Sequence, residues 1–589
     1  MNNFSLIRNA ALNLTALLCL FAQTLFALPE NCETTPLWPE GRMPDLQEHQ
    51  VKGETPRLEW YAAPEKPNPA KGCLILISGG AYECRCDMPW IDAIAQRMTE
   101  LGFQCVNLAY RVPRPKDLPI YQTAWEDGQR AVRIVRSEAE KRGYSPENIG
   151  ALGFSAGSHL TVMLAVSSQT IAYEPIDELD QTPCHINWAI PIYTAYALSD
   201  GLEGPNARDG NSIDVQLTKA FKFDAKSCPM CLFHGGTDLY SPNGSTEIYR
   251  KLRKMKVPAE LHLFADRSHG FMGKWGTKAC EGAPYDTWFE RAEEFLRQMN
   301  FDGGLGDEVE LMQRFASDDA RGEYIKEEIW PEGAMPDVQT NQTVRPYIEW
   351  HFPKERKTKS IQIVYSGGGY YFNDENGFEV APVRRYLNEK GMTVVTLKYR
   401  TPRPLDGLAK HISAWQDLQR AVRIVRKKAP EYGLDPNMIG VMGCSAGGHL
   451  TLMGCLNSLS HAYWPIDEID NYSCSVQWGV AIYPAYCVSD QIDRNNNGDG
   501  NGDDVRIVKE FAFDRATPPV LFLHGDSDGW SSMNSVKVWE QMRRMGVQSE
   551  LHTFATRGHC FQYKASPGTG SYNFMDRIWE FMNQKGFNK

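Results

Sequence analysis

The feature of this sequence that most constrains its fold is a long internal repeat. The octapeptide QRAVRIVR occurs identically at 129–136 and 419–426, an offset of 290 residues. LWPEGRMPD at 37–45 returns as IWPEGAMPD at 329–337, and offsets between matched segments stay between 288 and 292. A period this long indicates a duplicated domain rather than a solenoid repeat. The length of 589 residues also exceeds what one hydrophobic core usually serves.

Strand-like and helix-like segments alternate within each half. In the first half the apolar runs CLILISGG and QCVNLAY are followed by the amphipathic segment WEDGQRAVRIVRSEAEKRG. Strands interleaved with helices at this rhythm indicate a mostly parallel sheet with helices on both faces. We therefore predict an α/β protein with two tandem domains over 28–300 and 326–589. The stretch 301–325, which opens with the flexible sequence GGLGD, is predicted to be the linker.

The first 27 residues have the composition of an export signal. Arg8 precedes an apolar run that ends at Ala27, which is typical of a secretory signal and marginal for a membrane span. Leu18 stands before Cys19, where a lipoprotein signal needs a small residue. We expect a secreted or periplasmic protein without stable membrane association, and an uncleaved N-terminal anchor is the alternative. The net charge of −11 argues against a nucleic acid partner.

A serine between two glycines stands at the same place in each half. GFSAGSH covers 153–159 and GCSAGGH covers 443–449. The strand-like IGALGF leads directly into a helical segment at this serine, which is the arrangement of a nucleophile elbow. A GxSxG match alone is weak evidence, but its context and its repetition strengthen it. The candidate nucleophiles are therefore Ser155 and Ser445.

A serine nucleophile needs a base, and the base needs an orienting carboxylate. In hydrolases of this shape the chain order is Ser, then Asp or Glu, then His. Asp238 follows one predicted strand in HGGTD, and His269 follows the next in ADRSHGF. In the second half Asp528 and His559 hold the same places, with 83 residues from Ser to Asp and 31 from Asp to His in both halves. Carboxyl ends of strands are where open α/β sheets build their sites.

Acyl transfer also requires backbone donors for an oxyanion. The glycine-rich stretches ISGGAY at 77–82 and YSGGGY at 365–370 follow the first strong strand of each half. The residue after each serine supplies a further amide at a helix N-terminus. The predicted donors are Gly79, Gly80, Ala156, Gly367, Gly368 and Ala446. The alternative interpretation of the glycines is a simple turn between strand and helix.

Several neighbouring polar residues have structural interpretations. Asp526 rivals Asp528 as the orienting acid, but Gly236 takes its place in the first half, so the shared position is favoured. His159 and His449 are expected to pack on the helix or to cap it. His234 and His524 are expected to hydrogen-bond at strand ends, and Arg111 and Arg400 are expected to anchor loops by ion pairs. Cys228 and Cys231 are interpreted as parts of a buried strand rather than a metal or redox motif.

Taken together, the WPEG opening, the GG(A/G)Y loop, YRxPRP, GxSAGxHL, HGxxD and the final histidine resemble those of secreted α/β-hydrolase esterases. The most similar group is that of acetyl xylan esterases and feruloyl-esterase-like enzymes. The resemblance covers most of both halves and implies ester hydrolysis without a metal or an organic cofactor. It implies an acylated carbohydrate such as acetylated xylan, or a small ester, as substrate. Departures from the pattern are Ser78, Ser366, Ser158 and Cys444.

Three alternatives remain open on the sequence. A peptidase of the same fold is one, although no span is left over for the large gating domain that such enzymes usually carry. A carbohydrate-binding protein with one or both sites inactive is another. The presence of the serine, aspartate and histidine in both halves argues against it. Finally, DRNNNGDGNGDD at 493–504 has calcium-loop spacing in the second half alone. A polar, glycine-rich surface loop is the favoured interpretation, because clear flanking helices are lacking.

Overall fold

The computed structural model describes most of the chain outside its N-terminal segment. The described residues are 32–50, 55–64, 71–86, 89–199, 216–271, 287–314, 323–342, 344–405, 407–489 and 505–589. The predicted export signal and the candidate calcium loop lie outside them. Across the described ranges, no helix combines the length and the apolar character that crossing a membrane requires.

The first half alternates strands and helices. Its strands are β1 (Glu33–Pro36), β2 (Arg57–Trp60), β3 (Cys73–Ile77), β4 (Gln104–Ala109), β5 (Ile149–Phe154), β6 (Trp188–Ile192), β7 (Met230–Gly235) and β8 (Ala259–Phe264). Its helices are α1 (Pro89–Glu100), α2 (Gln122–Ser137), α3 (Ala139–Arg142), α4 (Ala156–Val166), α5 (Asn243–Lys254) and α6 (Trp288–Gln298).

The second half repeats this order after a short strand β9 (Val309–Glu310) and a short helix α7 (Leu311–Arg314). Its strands are β10 (Ile325–Glu328), β11 (Tyr347–His351), β12 (Ile361–Tyr365), β13 (Thr393–Lys398), β14 (Ile439–Cys444), β15 (Trp478–Ile482), β16 (Val488–Ser489), β17 (Arg506–Ile507), β18 (Val520–Gly525), β19 (Glu550–Phe554) and β20 (Lys564–Ala565). Its helices are α8 (Ala381–Glu389), α9 (Ile412–Lys428), α10 (Ala446–Leu456), α11 (Met533–Arg544) and α12 (Phe574–Lys585).

The chain divides into two compact units. Of the described residues, those within 1–259, 267–292 and 299–304 form the first unit, and those within 260–266, 293–298 and 305–589 form the second. In the first unit the strands run in the order β1-β2-β4-β3-β5-β6-β7, and in the second β10-β11-β13-β12-β14-β15-β18-β19. The two outermost pairs are antiparallel and the others parallel, from β4–β3 to β6–β7 and from β13–β12 to β18–β19. This is the strand order of the α/β-hydrolase fold, so the predicted fold class is confirmed.

Burial on both faces explains the unbroken apolar runs of the central strands. Every residue of β3, β5 and β6 is buried, as expected for parallel strands covered by helices. Gly150 in β5 is required by its neighbour, because a Cβ there would lie 2.1 Å from the ring of Trp188. Gly440 in β14 meets Trp478 in the same way, at 2.0 Å. Cys228 and Cys231 are buried at β7, as the sequence predicts.

A buried aspartate joins the motifs that the two halves share. Asp417 accepts hydrogen bonds from the Trp330 indole at 2.7 Å and from the Arg400 amide at 2.7 Å. The Arg400 guanidinium also donates to this carboxylate and to the carbonyl of Pro336. WPEG, YRxPRP and the helix α9 are therefore held at one point. In the first half Asp127 has the same role, so the predicted loop-anchoring ion pairs are confirmed.

A second set of ion pairs accounts for the occurrence of the QRAVRIVR and PIDE(L/I)D segments in both halves. Arg420 on α9 lies 2.5 Å from the carboxylate of Asp467 and 3.1 Å from that of Asp470. Arg130 makes the equivalent pairs with Asp177 and Asp180. The Arg420 side chain also covers the Trp330 ring, because its guanidinium carbon lies 5.3 Å from the ring centroid.

Removing the buried aspartate is expected to destabilise the second unit strongly. The variant Asp417→Ala leaves the fully buried Arg400 without a counter-charge, which typically costs about 3–5 kcal/mol. Urea unfolding followed by tryptophan fluorescence measures the loss. The control is Glu468→Ala, which removes the exposed carboxylate of the ion pair with Lys427 and is expected to leave the unfolding curve unchanged. A loss no larger than that of the control would contradict the assigned role.

The predicted linker is partly folded. Residues 305–314 belong to the second unit, and Leu311 is fully buried in its core cluster. Val309 pairs with Ala565 in a two-stranded ladder. The short helix α7 also lies within this segment. Residues 315–322 lie outside the described ranges.

Candidate active site

Each candidate nucleophile lies in a strained turn between a strand and a helix. Ser155 separates β5 from α4 and has φ 55° and ψ −117°. Ser445 separates β14 from α10 with φ 53° and ψ −118°. A non-glycine residue in such a conformation costs on the order of 1–3 kcal/mol and is found mainly at functional sites. The turn presents the hydroxyl at the carboxyl end of the sheet.

The flanking glycines are required by close backbone approach. A Cβ on Gly153 would lie 2.4 Å from the carbonyl oxygen of Gly157. A Cβ on Gly157 would lie 2.3 Å from the carbonyl oxygens of both Ile77 and Ser78. No side chain fits at these distances, so the GxSxG spacing follows from the tightness of the turn.

In the first half, the three residues predicted from chain order form one hydrogen-bonded series. His269 Nε2 lies 2.8 Å from Ser155 Oγ. His269 Nδ1 lies 2.9 Å from Asp238 Oδ2 and 3.0 Å from Oδ1. Asp238 follows β7 and His269 follows β8, as expected for side chains that meet at one edge of the sheet. This is the geometry in which an imidazole can take the serine proton while a carboxylate holds its orientation.

The second half reproduces the series with the same dimensions. His559 Nε2 lies 2.8 Å from Ser445 Oγ, and His559 Nδ1 lies 2.8 Å from Asp528 Oδ2. Asp528, rather than the alternative Asp526, is therefore the carboxylate beside the His559 imidazole. Asp526 is also buried, at 6% exposure, and its backbone amide pairs with the carbonyl of Phe554.

The two carboxylates are kept ionised by their neighbours. Burial acts to raise the pKa of Asp238, but the imidazoles of His234 and His269 outweigh it and lower the pKa to about 2. The pKa of Asp528 is lowered to about 2 in the same way, by His524 and His559. Each aspartate also accepts a backbone hydrogen bond, for example from Tyr240 at 2.8 Å. A carboxylate that stays charged near neutral pH is suited to stabilise an imidazolium.

The glycine-rich loops lie directly against the serines. An added Cβ on Gly79 would lie 3.1 Å from Ser155 Cβ, and one on Gly367 would lie 2.7 Å from Ser445 Cβ. Gly80 and Gly368 have φ of 125° and 80°, a backbone conformation that favours glycine. The loops are thus placed where backbone amides can approach a substrate oxygen.

One predicted oxyanion donor is engaged elsewhere. The amide of Gly367 donates to Glu379 Oε2 at 2.7 Å, so the prediction that this amide faces the substrate is wrong for this position. Glu379 is buried and also accepts from the Tyr483 hydroxyl at 3.0 Å. Gly368 and Ala446 remain the candidate donors in this half. The first amides of a helix, such as that of Ala446 in α10, have no carbonyl partner within the helix.

Sequence reasoning missed an aromatic wall beside each imidazole. The ring of Tyr193 lies 4.9 Å from that of His269, and the ring of Tyr483 lies 4.8 Å from that of His559. The Tyr240 ring also lies 4.9 Å from His269. A signal was present, because the pentapeptide pattern IYxAY occurs at 192–196 and again at 482–486. Its first tyrosine directly follows β6 or β15 and so reaches the site edge.

The remaining predicted residues have packing roles. His234 lies 2.8 Å from Ser245 Oγ and 2.9 Å from the Tyr240 carbonyl, which confirms a strand-end hydrogen-bonding role, and His524 does the same. His159 is buried with Nδ1 2.9 Å from the Tyr82 hydroxyl, which confirms packing on the helix.

The departures from the esterase pattern have local explanations. Ser158 Oγ lies 2.7 Å from Thr194 Oγ1, whereas its counterpart Gly448 faces Pro484, whose Cα would lie 2.8 Å from an added Cβ. The contacting residues thus change as a pair between the halves, from Ser158 with Thr194 to Gly448 with Pro484. Cys444 is buried and its sulfur accepts from Gln562 at 3.3 Å.

The chain is similar to several known hydrolases and hydrolase families. The BD-FAE family model matches residues 58–252 and 348–477, and the prolyl oligopeptidase family model matches 413–586. An acetylxylan esterase of Xylanibacter ruminicola is 23% identical over 211 residues, 33% of this chain and 40% of that protein. An endo-1,4-beta-xylanase B of Butyrivibrio fibrisolvens is 26% identical over 208 residues, 34% of this chain and 32% of that protein.

Among solved structures, an acetyl ester-xyloside bifunctional hydrolase from Caldicellulosiruptor lactoaceticus matches 47% of this chain and 99% of its own, with 21% identity and a TM-score of 0.38. The strand order and the turn at each serine define an α/β hydrolase. Within that class the BD-FAE model covers more than half of the sequence, and the chain belongs to the BD-FAE family. The chain spans about a third to two fifths of the length of the curated relatives named above.

Proposed function

We propose that this protein is a serine carboxylesterase with two catalytic sites, one in each half. The observation that carries the proposal is the paired series Ser155–His269–Asp238 and Ser445–His559–Asp528, each ending on a serine in a strained strand-to-helix turn. Membership in the BD-FAE family supports the same chemistry.

The reaction follows from the contacts of the first half. His269 takes the proton of Ser155 Oγ as this oxygen attacks the ester carbonyl, and the amides of Gly80 and Ala156 stabilise the resulting oxyanion. The tetrahedral intermediate collapses, and the alcohol leaves with the proton from His269. Water then attacks the acyl-serine, His269 takes one of its protons, and the acid is released with the serine restored. Asp238 holds the imidazole in the required tautomer throughout. The second half repeats these roles.

The substrate that we propose is an acetyl group on xylan or a related polysaccharide. The support is the acetylxylan esterase and xylanase names of two relatives. The export signal proposed for residues 1–27 agrees with action on a polymer outside the cell. No metal or organic cofactor is required, because serine, imidazole and backbone amides supply every group that the two half-reactions use.

The function is tested by acetate release. The full chain is incubated with acetylated xylan, with p-nitrophenyl acetate and with an N-blocked peptide p-nitroanilide. We expect acetate from the polymer, turnover of the small ester and no cleavage of the anilide. Cleavage of the anilide alone would favour the peptidase alternative. Binding of xylan without turnover of any ester would favour the carbohydrate-binding alternative.

A further inference from the structure

A second cluster of chemically competent side chains lies in the second half, apart from the serine series. His411 directly precedes α9, His449 lies on α10, and Glu510 lies between β17 and β18. One nitrogen of each imidazole and one carboxylate oxygen all lie within 4.8 Å of one another. The two imidazole centroids are 5.3 Å apart, and His449 Nε2 lies 3.7 Å from Glu510 Oε1. Neither imidazole is the partner of Ser445 Oγ, which lies 2.8 Å from His559 Nε2.

Each of the two imidazoles has a buried nitrogen without a hydrogen-bond partner among the described residues. Within the described part of the chain, His449 Nε2 and His411 Nδ1 have no hydrogen-bond partner. The exposed fractions of these residues are 0% and 6%. The 3.7 Å separation from Glu510 is too long for a hydrogen bond. Buried polar atoms are nearly always satisfied in native proteins, so two of them beside one carboxylate call for a ligand.

We propose that His411, His449 and Glu510 bind a divalent transition-metal ion, with Zn²⁺ as the ion that the donor set fits best. Two imidazole nitrogens and one carboxylate oxygen form a set that zinc takes with tetrahedral geometry, leaving a fourth position for water. Bonds of about 2.0 Å place tetrahedral ligands about 3.3 Å apart, close to the 3.7 Å between His449 and Glu510.

A neighbouring hydroxyl orients one of these ligands. The Tyr370 hydroxyl lies 2.8 Å from His449 Nδ1. That contact places the second ring nitrogen, Nε2, toward Glu510. Metal-binding histidines usually have such a partner on the nitrogen that does not bind the metal, because it fixes the tautomer and the ring orientation. The ammonium of Lys410, the residue before His411, lies 3.8 Å from the ring centroid of Tyr486.

The first half provides a natural comparison. The positions equivalent to His411, His449 and Glu510 at the offset of 290 are Tyr121, His159 and Ala220. His159 keeps the tyrosine contact on Nδ1, through Tyr82. Two of the three ligands are absent there, so the zinc site is specific to the second half. His159 and His449 thus share a packing role, and metal binding is proposed for His449 in addition.

Bound zinc would connect three segments that meet beside the nucleophile. His411 precedes α9, His449 lies four residues after Ser445 on α10, and Glu510 lies on the connection to β18. A metal that binds only the folded protein adds to its stability by mass action. The site therefore stabilises the second unit near its proposed catalytic serine, and it does so whether or not the esterase proposal holds.

The test uses the full chain stripped of metal with a chelator. Zn²⁺ binding is measured by equilibrium dialysis with elemental analysis, and Co²⁺ loading is followed by its visible absorption. The comparison variant is His411→Tyr with Glu510→Ala, which installs the two residues that the first half already carries in the same environment. Circular dichroism verifies that the variant is folded, and Glu510→Ala alone serves as a milder second variant.

We expect the wild-type chain to bind one more equivalent of Zn²⁺ than the double variant. The absorption of four-coordinate Co²⁺ should be present in the wild type and lost in the variant. Removing ligands should weaken Zn²⁺ binding more than the 10- to 100-fold loss that follows removal of an orienting neighbour. Equal zinc content and equal Co²⁺ spectra in the two proteins would overturn the proposal. These readouts do not depend on ester turnover, so failure of the proposed enzyme activity would be distinguishable.

Discussion

Replacing both Ser155 and Ser445 by Ala is expected to reduce ester turnover about 10⁶-fold, to the level that binding and backbone donors alone sustain. Each single variant should retain the activity of the other site, because each serine has its own imidazole at 2.8 Å. The measurement is acetate release from acetylated xylan and p-nitrophenyl acetate hydrolysis. The matched control is Ser473→Ala, which changes an exposed serine of the second half.

Covalent labelling gives an independent readout of the same prediction. A fluorophosphonate should label the wild-type chain at two serines, each single variant at one, and the double variant at none. Mass spectrometry of the peptides assigns the labels. A double variant with wild-type turnover would refute both sites, whereas one inactive single variant would locate all activity in one half.

The second large effect is expected from Asp528→Asn in a chain whose first site has been removed by Ser155→Ala. An amide cannot stabilise the imidazolium and favours the wrong tautomer of His559, so kcat should fall about 10⁴-fold. Because the pKa of Asp528 is about 2, the wild-type carboxylate is ionised at every pH above about 4. The wild-type carboxylate should therefore add no titration of its own to the pH profile of kcat across the neutral range, and the loss is measured from that profile in both proteins.

The control for this experiment is Asp526→Asn in the same background. It makes the same chemical change two residues away, at a buried aspartate whose side chain is not the partner of His559 Nδ1. We expect a change in kcat of less than tenfold. Equal losses from the two variants would show that the defect comes from disturbing the loop after β18 rather than from orienting the imidazole.

Much of this fold was open to prediction from local patterns. Apolar runs of five or six residues marked β3 and β5 because parallel strands covered on both faces have no polar side to display. The glycines around Ser155 signalled a turn whose tightness is a local steric property. The register between the halves identified which aspartate of HGDSD occupies the shared position, since Gly236 lacks a carboxylate.

Other features depended on distant residues and escaped prediction. The amide of Gly367 belongs to a loop rich in glycine and was expected to face the substrate, but it is held by Glu379, twelve residues away. Asp417 had no assigned role in the sequence, although it joins two of the shared motifs by accepting from Trp330 and Arg400. The tyrosines beside the imidazoles were visible only as a repeated IYxAY pattern.

By itself, the sequence determined the α/β character of each half, the alternation of strands with helices along the chain and the identity of the residues at each strand end. These follow from hydrophobic periodicity and from turn sterics, which act over a few residues. The tertiary structure alone decided which polar groups meet across long separations, such as His411, His449 and Glu510. Such meetings depend on how helices pack on the sheet, and this packing sets distances to within an ångström that no spacing along the chain encodes.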